Sequence, residues 1–168
     1  DFCARIMPSL PAKYESARRQ ALWQTWSMMV EPDGEASYKR TMVKMIHCIF
    51  EAAFLWQQPM QAVWLSRDVN LAWEIFCSAF DYQDVNGRPY DGLSYRAAPS
   101  IGMKPPIHGG VLLWMMENLD LSGIRTESKV WLWERMVKWT DFFRIHRDRD
   151  RDGLVEYQNI VETGWEDA

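Results

Sequence analysis

Residues 127–145 read ESKVWLWERMVKWTDFFRI, and this stretch decides the fold class predicted from the sequence. Its large apolar side chains recur at helical spacing, which is typical of an amphipathic helix. The residues that define this apolar side are Val130, Trp133, Val137 and Phe143. Because Ser122-Gly123 interrupts the preceding pattern, we predict a helix that starts at Ile124 or Glu127 and ends near Ile145.

Helical patterns also fill the chain before this stretch. The predicted helices cover residues 12–30, 38–54, 60–65, 69–82 and about 105–119. Asp68 is the expected N-cap of the helix at 69–82, and Pro105-Pro106 is tolerated in a first helical turn. Residues 84–104 show no sustained period of 2 or 3.6, which predicts a long functional loop. No strand pattern lasts more than a few residues.

The sequence therefore predicts an all-α fold. Antiparallel helical hairpins with loops of unequal length favour part of an (α/α)6 toroidal barrel over a solenoid, since no fixed-period repeat is visible. The 168 residues form a single predicted domain. The polar run at the end of the chain suggests a central or N-terminal piece of a longer barrel, truncated at both ends, with an apolar flank exposed.

Composition excludes several functional classes. The net charge of −4 is spread along the chain, so we expect no nucleic-acid partner. No apolar window is long enough for a membrane span, so we expect no membrane partner. Cys3, Cys48 and Cys77 are widely spaced, which fits reduced thiols and slightly favours the cytoplasm.

Ten tryptophans and ten methionines are the unusual feature of the composition. Both residue types fill irregular gaps between helices, which explains most of them. A carbohydrate cleft is the functional alternative, because pyranose rings lie well on indole planes while their hydroxyls pair with polar side chains.

Residues 148–156 read DRDRDGLVE and match the opening of a calcium loop. The predicted ligands are Asp148, Asp150, Asp152, the Leu154 carbonyl and Glu156. Asn159 replaces the expected final glutamate, and three nearby arginines oppose a cation. The alternative is a solvated loop with weak Arg–Asp pairs. We expect Ca²⁺ as the one candidate cofactor and no organic cofactor.

An acidic segment closes the sequence, with several carboxylates around Gly164-Trp165. Glycosidic cleavage needs a protonated carboxyl beside the leaving oxygen, and packing against an indole raises the pKa of a carboxyl. Glu166 is placed for this role, although acidic stretches are common at helix starts and in surface loops.

Four stretches in this order resemble the (α/α)6 barrel of glycoside hydrolase family 63 and its mannosylglycerate-hydrolase-like and trehalase-like relatives. They are FLWQ at 54–57, AFDYQDVNGR at 79–88, KPPIHG at 104–109, and RDGLVEY at 151–157 running into ETGW at 162–165. The resemblance spans nearly the whole chain. It implies an inverting glycosidase that cleaves α-linked glucosyl or mannosyl residues of an oligosaccharide or small α-glycoside.

The resemblance also implies roles for individual residues. The substrate-binding set is Trp56, Gln57, Lys104, Pro106, His108 and Trp165. Glu166 stands where the family has an aspartate as general acid, so Asp167 is a second candidate. Gln57 likewise replaces an aspartate of the family. The catalytic base is expected on a later part of the protein, so that the 168 residues alone are predicted to be inactive.

Two other functional classes remain open at this point. One is a non-catalytic helical domain that binds carbohydrate or acts as a scaffold, with tryptophans holding the ligand or the core. The other is an α/α-barrel isomerase or lyase that acts on sugars in the same cleft.

Overall fold

The computed structural model describes residues 2–7, 9–32, 34, 38–47, 50–94 and 103–163. It is about 52% helical, with 9% strand. The helices are α1 (Phe2–Ile6), α2 (Glu15–Met28), α3 (Gln58–Trp64), α4 (Val69–Ser78), α5 (His108–Asn118) and α6 (Thr126–His146). Two 3₁₀ turns accompany them, Ala12–Tyr14 ahead of α2 and Ile160–Thr163 after α6.

The strands form two small antiparallel sheets. They are β1 (Met29–Val30), β2 (Met42–Val43), β3 (Met45–His47), β4 (Phe50–Phe54) and β5 (Gly92–Ser94). In the first sheet, β1 pairs with β2. In the second, β4 lies between β3 and β5, with His47 opposite Phe50 and Phe54 opposite Gly92. Residues far apart in sequence thus meet at the end of β4.

The helix predicted for residues 38–54 is wrong, because these residues supply β2, β3 and β4. Short apolar runs satisfy helix and strand patterns alike, and tertiary contacts decide between the two. One such contact is made by the buried Gln58 side chain. Its Oε1 accepts from Val43 N at 3.0 Å and its Nε2 donates to Val43 O at 2.9 Å, as a neighbouring strand would.

The all-α prediction is therefore also wrong, and with it the (α/α)6 toroidal barrel. The described part of the chain is a mixed structure in which α3 packs on α4 and α5, while β2 contacts α3 and α4. Among the described residues, no toroid of helical hairpins is present. Small sheets link α2 to α3, and the β5 strand lies inside the segment predicted as one long loop.

The remaining helix predictions are confirmed apart from their ends. The helix predicted at 69–82 stops at Ser78, and its predicted N-cap is correct, since the Asp68 side chain accepts from Leu71 N at 3.1 Å. The predicted apolar side of α6 is mostly wrong. Val130, Trp133 and Val137 are exposed, whereas the buried residues of α6 are Leu132, Trp139, Phe142 and Phe143.

The core lies between α3, α4, the two sheets and the inner sides of α2, α5 and α6. Its largest fully buried apolar side chains are Phe76, Phe80, Leu22, Met42, Leu65, Ile75, Leu93, Met103, Met115 and Leu132. Cys77 is a buried free thiol of this core, and burial raises its pKa to about 12. Cys48 lies outside the described residues.

None of the described helices is long and apolar enough to cross a membrane.

Candidate functional site

The end of β4 brings two distant loops together. Beyond the last paired residues of β4 and β5, Leu55 N donates to Asp91 O at 2.6 Å and extends the ladder by one further hydrogen bond. The turn that follows β4 carries Trp56, and the residue that precedes β5 is Asp91. Backbone pairing therefore fixes these two residues beside each other.

A small cavity of about 10 Å³ lies at this place. Its lining residues are Leu55, Trp56, Pro89, Tyr90, Asp91, Met103, Lys104, His108 and Trp139. We call it the Asp91 cavity. Its size corresponds to about one water molecule, for which roughly 10–15 Å³ is needed. Three residues predicted to bind sugar, Trp56, Lys104 and His108, meet here from separate segments.

His108 begins α5 and forms one wall of the cavity, with 3% of its surface exposed. Aromatic rings surround it, with ring centroids at 6.0 Å for Phe76, 5.2 Å for Phe80 and 4.7 Å for Trp139. This burial lowers its pKa to about 3, and the nearby Leu55 backbone offsets the effect only in part. The imidazole is therefore neutral near pH 7 and acts as a hydrogen-bonding group.

Asp91 supplies the carboxyl group of the cavity and is 7% exposed. Burial raises its pKa, and the positive charge of Lys104 opposes that shift. Its Oδ1 is buried and finds no hydrogen-bond partner within the described part of the chain. Sequence reasoning missed Asp91, because only the unpredicted pairing of β4 with β5 brings it to Trp56.

Two indole groups complete the polar lining. Trp56 Nε1 and Trp139 Nε1 are both buried, and neither has a hydrogen-bond partner among the described residues. Trp139 reaches the cavity from the buried side of α6, where its ring also packs on Phe80 and Phe143. The cavity thus combines indole donors, a neutral imidazole and a carboxyl, a set suited to a hydroxyl-bearing ligand.

The other predicted sugar-binding residues lie elsewhere or are not described. Gln57 occupies the N-cap position of α3, and Pro106 is exposed. Neither residue lines the Asp91 cavity. Trp165, Glu166 and Asp167 lie outside the described residues. The structure therefore places half of the predicted substrate-binding set together.

The aspartate loop, residues 148–156, follows the end of α6. One carboxylate oxygen from each of Asp148, Asp150 and Asp152 lies within 4.8 Å of the others, so these three could hold a metal ion. Gly153 permits the tight turn with φ 89°, and its N–H donates to Asp148 Oδ2 at 3.2 Å. Exposed carboxylates often cluster without a metal, and the predicted ligand Glu156 is not part of this group. Its carboxylate lies 3.9 Å from Arg149 Nε.

A buried ion pair closes the aspartate loop at its base. Arg147 Nη1 and Nη2 donate to the two carboxylate oxygens of Glu162 at 2.9 and 2.8 Å, and both residues are 2% exposed. Gln158 N adds a third hydrogen bond to Glu162 at 2.8 Å. This loop clamp fixes the chain up to the residues that immediately precede the predicted acid segment.

Comparisons with known proteins give no relative from which a role can be transferred, since no family model, curated protein or solved structure matches this chain.

Proposed function

We propose that this chain is the sugar-binding part of a glycoside hydrolase that cleaves α-linked glucosyl or mannosyl residues with inversion. One observation supports the proposal above the others. Trp56, Lys104 and His108, for which the family resemblance implies a role in substrate binding, line a single cavity together with the buried carboxyl of Asp91.

The composition of this cavity suits a sugar. An indole offers an apolar plane for a pyranose ring, while a carboxyl and an imidazole pair with its hydroxyls. The ammonium group of Lys104 adds a charged donor at the same place. Because His108 is neutral near pH 7, it would hold a hydroxyl in the ground state without supplying the proton for cleavage.

The proposed general acid is Glu166 or Asp167. The loop clamp supports this assignment, because the Arg147–Glu162 ion pair fixes the chain at Glu162, shortly before that segment in the sequence. Inversion needs a second carboxyl about 6.5–9.5 Å away as base. Asp91 is the only carboxyl among the described lining residues of the cavity, so hydrolysis of an aryl α-glycoside by these 168 residues is not expected.

Binding by the 168-residue chain tests the proposal directly. Methyl α-D-glucopyranoside and methyl α-D-mannopyranoside are titrated by calorimetry and by saturation-transfer NMR. We expect Trp56→Ala to weaken binding about tenfold or more, which corresponds to about 1.4 kcal/mol. Trp26→Ala is the matched control, since Trp26 is 53% exposed on α2 and is not among the residues that line the cavity.

Two outcomes would contradict the proposal. The wild-type chain could bind neither glycoside, or Trp56→Ala and Trp26→Ala could weaken binding equally. Binding that depends on Trp56, combined with no sugar release from any longer form of the protein, would favour the non-catalytic carbohydrate-binding class.

A second proposed function is Ca²⁺ binding by the aspartate loop. The observation that favours it is the convergence of Asp148, Asp150 and Asp152, in which the buried Asp148 Oδ1 lacks a hydrogen-bond partner among the described residues. Hard carboxylate oxygens are the ligands that Ca²⁺ prefers. The Leu154 carbonyl and Glu156 would complete the donor set with solvent.

Asn159 limits the strength of this site, because its Oδ1 accepts from Glu162 N at 3.2 Å. No bidentate glutamate stands at that position, and Arg149 and Arg151 add positive charge. We therefore expect a dissociation constant of roughly 10⁻⁴–10⁻³ M, the weak end of the range for such loops.

Calorimetric titration with Ca²⁺ in the presence of excess Mg²⁺ tests this second proposal. Asp150→Asn should abolish the heat of binding and the accompanying rise in melting temperature. Asp141→Asn is the control, because Asp141 is an exposed carboxylate on α6 that pairs only weakly with Arg144. Equal Ca²⁺ responses from the two variants would reject the site.

A further inference from the structure

Although the Asp91 cavity is small, several polar atoms of its lining residues lack a hydrogen-bond partner. Five polar atoms of four lining residues lack a hydrogen-bond partner within the described ranges: Trp56 Nε1, Asp91 Oδ1, His108 Nδ1, His108 Nε2 and Trp139 Nε1. Asp91, His108 and Trp139 are each more than nine-tenths buried. Buried polar groups are normally paired, so such a cluster points to a bound group.

The donor and acceptor pattern narrows the chemistry of that group. The two indoles and the Lys104 ammonium can only donate, and the Asp91 oxygen accepts. The neutral imidazole offers one donor, which also interacts with the Leu55 backbone, and one acceptor. An anion would meet the Asp91 carboxylate, and a cation would meet two indole N–H groups. An oxygen that both donates and accepts is complementary to this lining, as in a hydroxyl or a water molecule.

The volume of the Asp91 cavity also favours a single hydroxyl or water oxygen as its occupant. A space of about 10 Å³ accommodates about one oxygen-sized group and excludes a whole pyranose ring. Trp56 forms part of the same lining, so a ring stacked on this indole could direct one of its hydroxyls into the cavity.

We propose that the Asp91 cavity receives one hydroxyl of the sugar, which displaces a water molecule and is held by Asp91 and His108. This inference rests on the proposed sugar-binding function and deepens it, since it makes Asp91 a specificity-determining residue. A deoxy sugar has a methylene group in place of this hydroxyl. Its methylene would exclude the water molecule from the cavity and leave the buried polar groups unpaired.

Monodeoxy sugars test the inference. The 2-, 3-, 4- and 6-deoxy derivatives of methyl α-D-glucopyranoside are titrated into the wild-type chain by calorimetry, beside the parent glycoside. We expect one derivative to bind about 10- to 100-fold more weakly than the parent, as is typical for loss of a hydrogen bond to a charged group. The other three derivatives should lose clearly less affinity.

The variant Asp91→Asn tests whether Asp91 recognises the hydroxyl that the deoxy series identifies. The substitution keeps the shape of the side chain, so the folded structure should persist, which a thermal melt verifies. In this variant the parent glycoside should bind more weakly, and the penalty for the selected deoxy sugar should shrink to a fewfold. Asp120→Asn is the matched control, because Asp120 is an exposed carboxylate that caps a turn through Ser122 N.

The outcomes separate the inference from the function on which it rests. If the parent glycoside binds through Trp56 but all four deoxy sugars lose affinity equally, or the selective penalty is unchanged by Asp91→Asn, the hydroxyl pocket is wrong while sugar binding stands. If neither methyl glycoside binds the wild-type chain, the proposed function fails, and this inference with it. Should Asp91→Asn not fold, the deoxy series on the wild type still decides whether one hydroxyl is singled out.

Discussion

Asp91 couples its own protonation to folding, because burial raises its pKa above the value in the unfolded chain. The stabilisation that comes from the protonated form is complete below the unfolded pKa of about 3.9, and it is lost as pH rises through the folded pKa. Ionised Asp91 therefore destabilises the fold at neutral pH. The charged or titratable groups that face it in the cavity are Lys104, His108 and Tyr90.

Asp91→Asn should consequently raise the melting temperature near pH 7 and have a smaller effect near pH 4. Over this window His108 stays largely neutral, since its pKa is about 3. Melting temperatures of wild type and variant at the two pH values provide the measurement. A variant that is less stable than wild type at both values would contradict the expected effect of burial.

Glu162 should be among the residues most sensitive to substitution outside the apolar core. Glu162→Gln leaves the Arg147 guanidinium buried without its counter-charge, which costs about 3–5 kcal/mol in comparable pairs. Chemical denaturation would show this as a lower midpoint. Asp141→Asn is the matched control at the same end of α6, since its exposed pair with Arg144 should contribute only about 0–1 kcal/mol. Similar losses in both variants would show that the loop clamp does not stabilise the fold.

At the scale of the elements, Gly87 joins the loop between α4 and β5 to α6. It has φ 90°, and a Cβ at this position would lie 2.5 Å from Lys138 O. The Gln83 side chain donates to both Gly87 O at 2.8 Å and Arg135 O at 2.9 Å, which ties the same loop to the helix. Close approach of two backbones thus holds this loop, and with it Pro89, Tyr90 and Asp91, against α6.

Gly87→Ala should therefore destabilise the protein by more than backbone strain alone. The left-handed conformation costs a non-glycine residue about 1–2 kcal/mol, and forcing two backbones apart adds about 1–3 kcal/mol. Gly34→Ala isolates the first contribution, because Gly34 has φ 82° with nothing within 4 Å of an added Cβ. Urea unfolding compares the two, and equal losses would mean that the loop does not pack on α6 as described.

The elements that the sequence predicted correctly are those with strong local signals. Asp68 is a good N-cap residue, and Pro105-Pro106 and Ser122-Gly123 mark helix boundaries, so α4, α5 and α6 were predicted with small errors at their ends. Residues 42–54 contain no glycine or proline that would mark the boundary between β3 and β4. Their strand structure depends on partners at 29–30, 92–94 and Gln58, which a local pattern does not reveal.

Only part of the candidate site was predicted from the sequence, because a local pattern does not reveal which distant residues meet in the fold. Trp56 and His108 were identified by residue type and by resemblance, and the fold brings both to one cavity. Asp91 and Trp139 were missed, the first because its position depends on the β4–β5 pairing. Trp139 was missed because α6 is apolar on more than one side, so that its periodicity alone assigned the wrong buried face.

At the scale of the whole molecule, the described surface carries many large apolar side chains. Trp23 and Trp26 are 64% and 53% exposed on α2, and Met116 and Trp133 are 64% and 67% exposed on α5 and α6. An apolar groove of about 430 Å³ runs beside the latter two. Exposed apolar patches of this kind promote association between molecules.

We therefore expect the 168-residue chain to self-associate as its concentration rises. Sedimentation velocity across a hundredfold range of concentration would detect this as an increase in the average sedimentation coefficient. Trp133→Glu combined with Met116→Lys should shift the equilibrium towards monomer, while Glu134→Lys, a charge change on the same helix, should not. A chain that stays monomeric over the whole concentration range would contradict the expected self-association.

The loop clamp has one further consequence, for protein engineering. The ion pair between Arg147 and Glu162 joins the two ends of the aspartate loop. Extra residues inserted between them would therefore lengthen the loop without separating its ends. Each doubling of a flexible loop costs only about 0.6 kcal/mol of closure entropy. Residues 149–157 are exposed along their whole length. An epitope tag or a fluorescent reporter inserted between Arg149 and Asp150 should thus leave the cavity around Asp91 undisturbed. Because the insertion separates Asp148 from the other proposed Ca²⁺ ligands, such a label suits studies of sugar binding and not of Ca²⁺ binding.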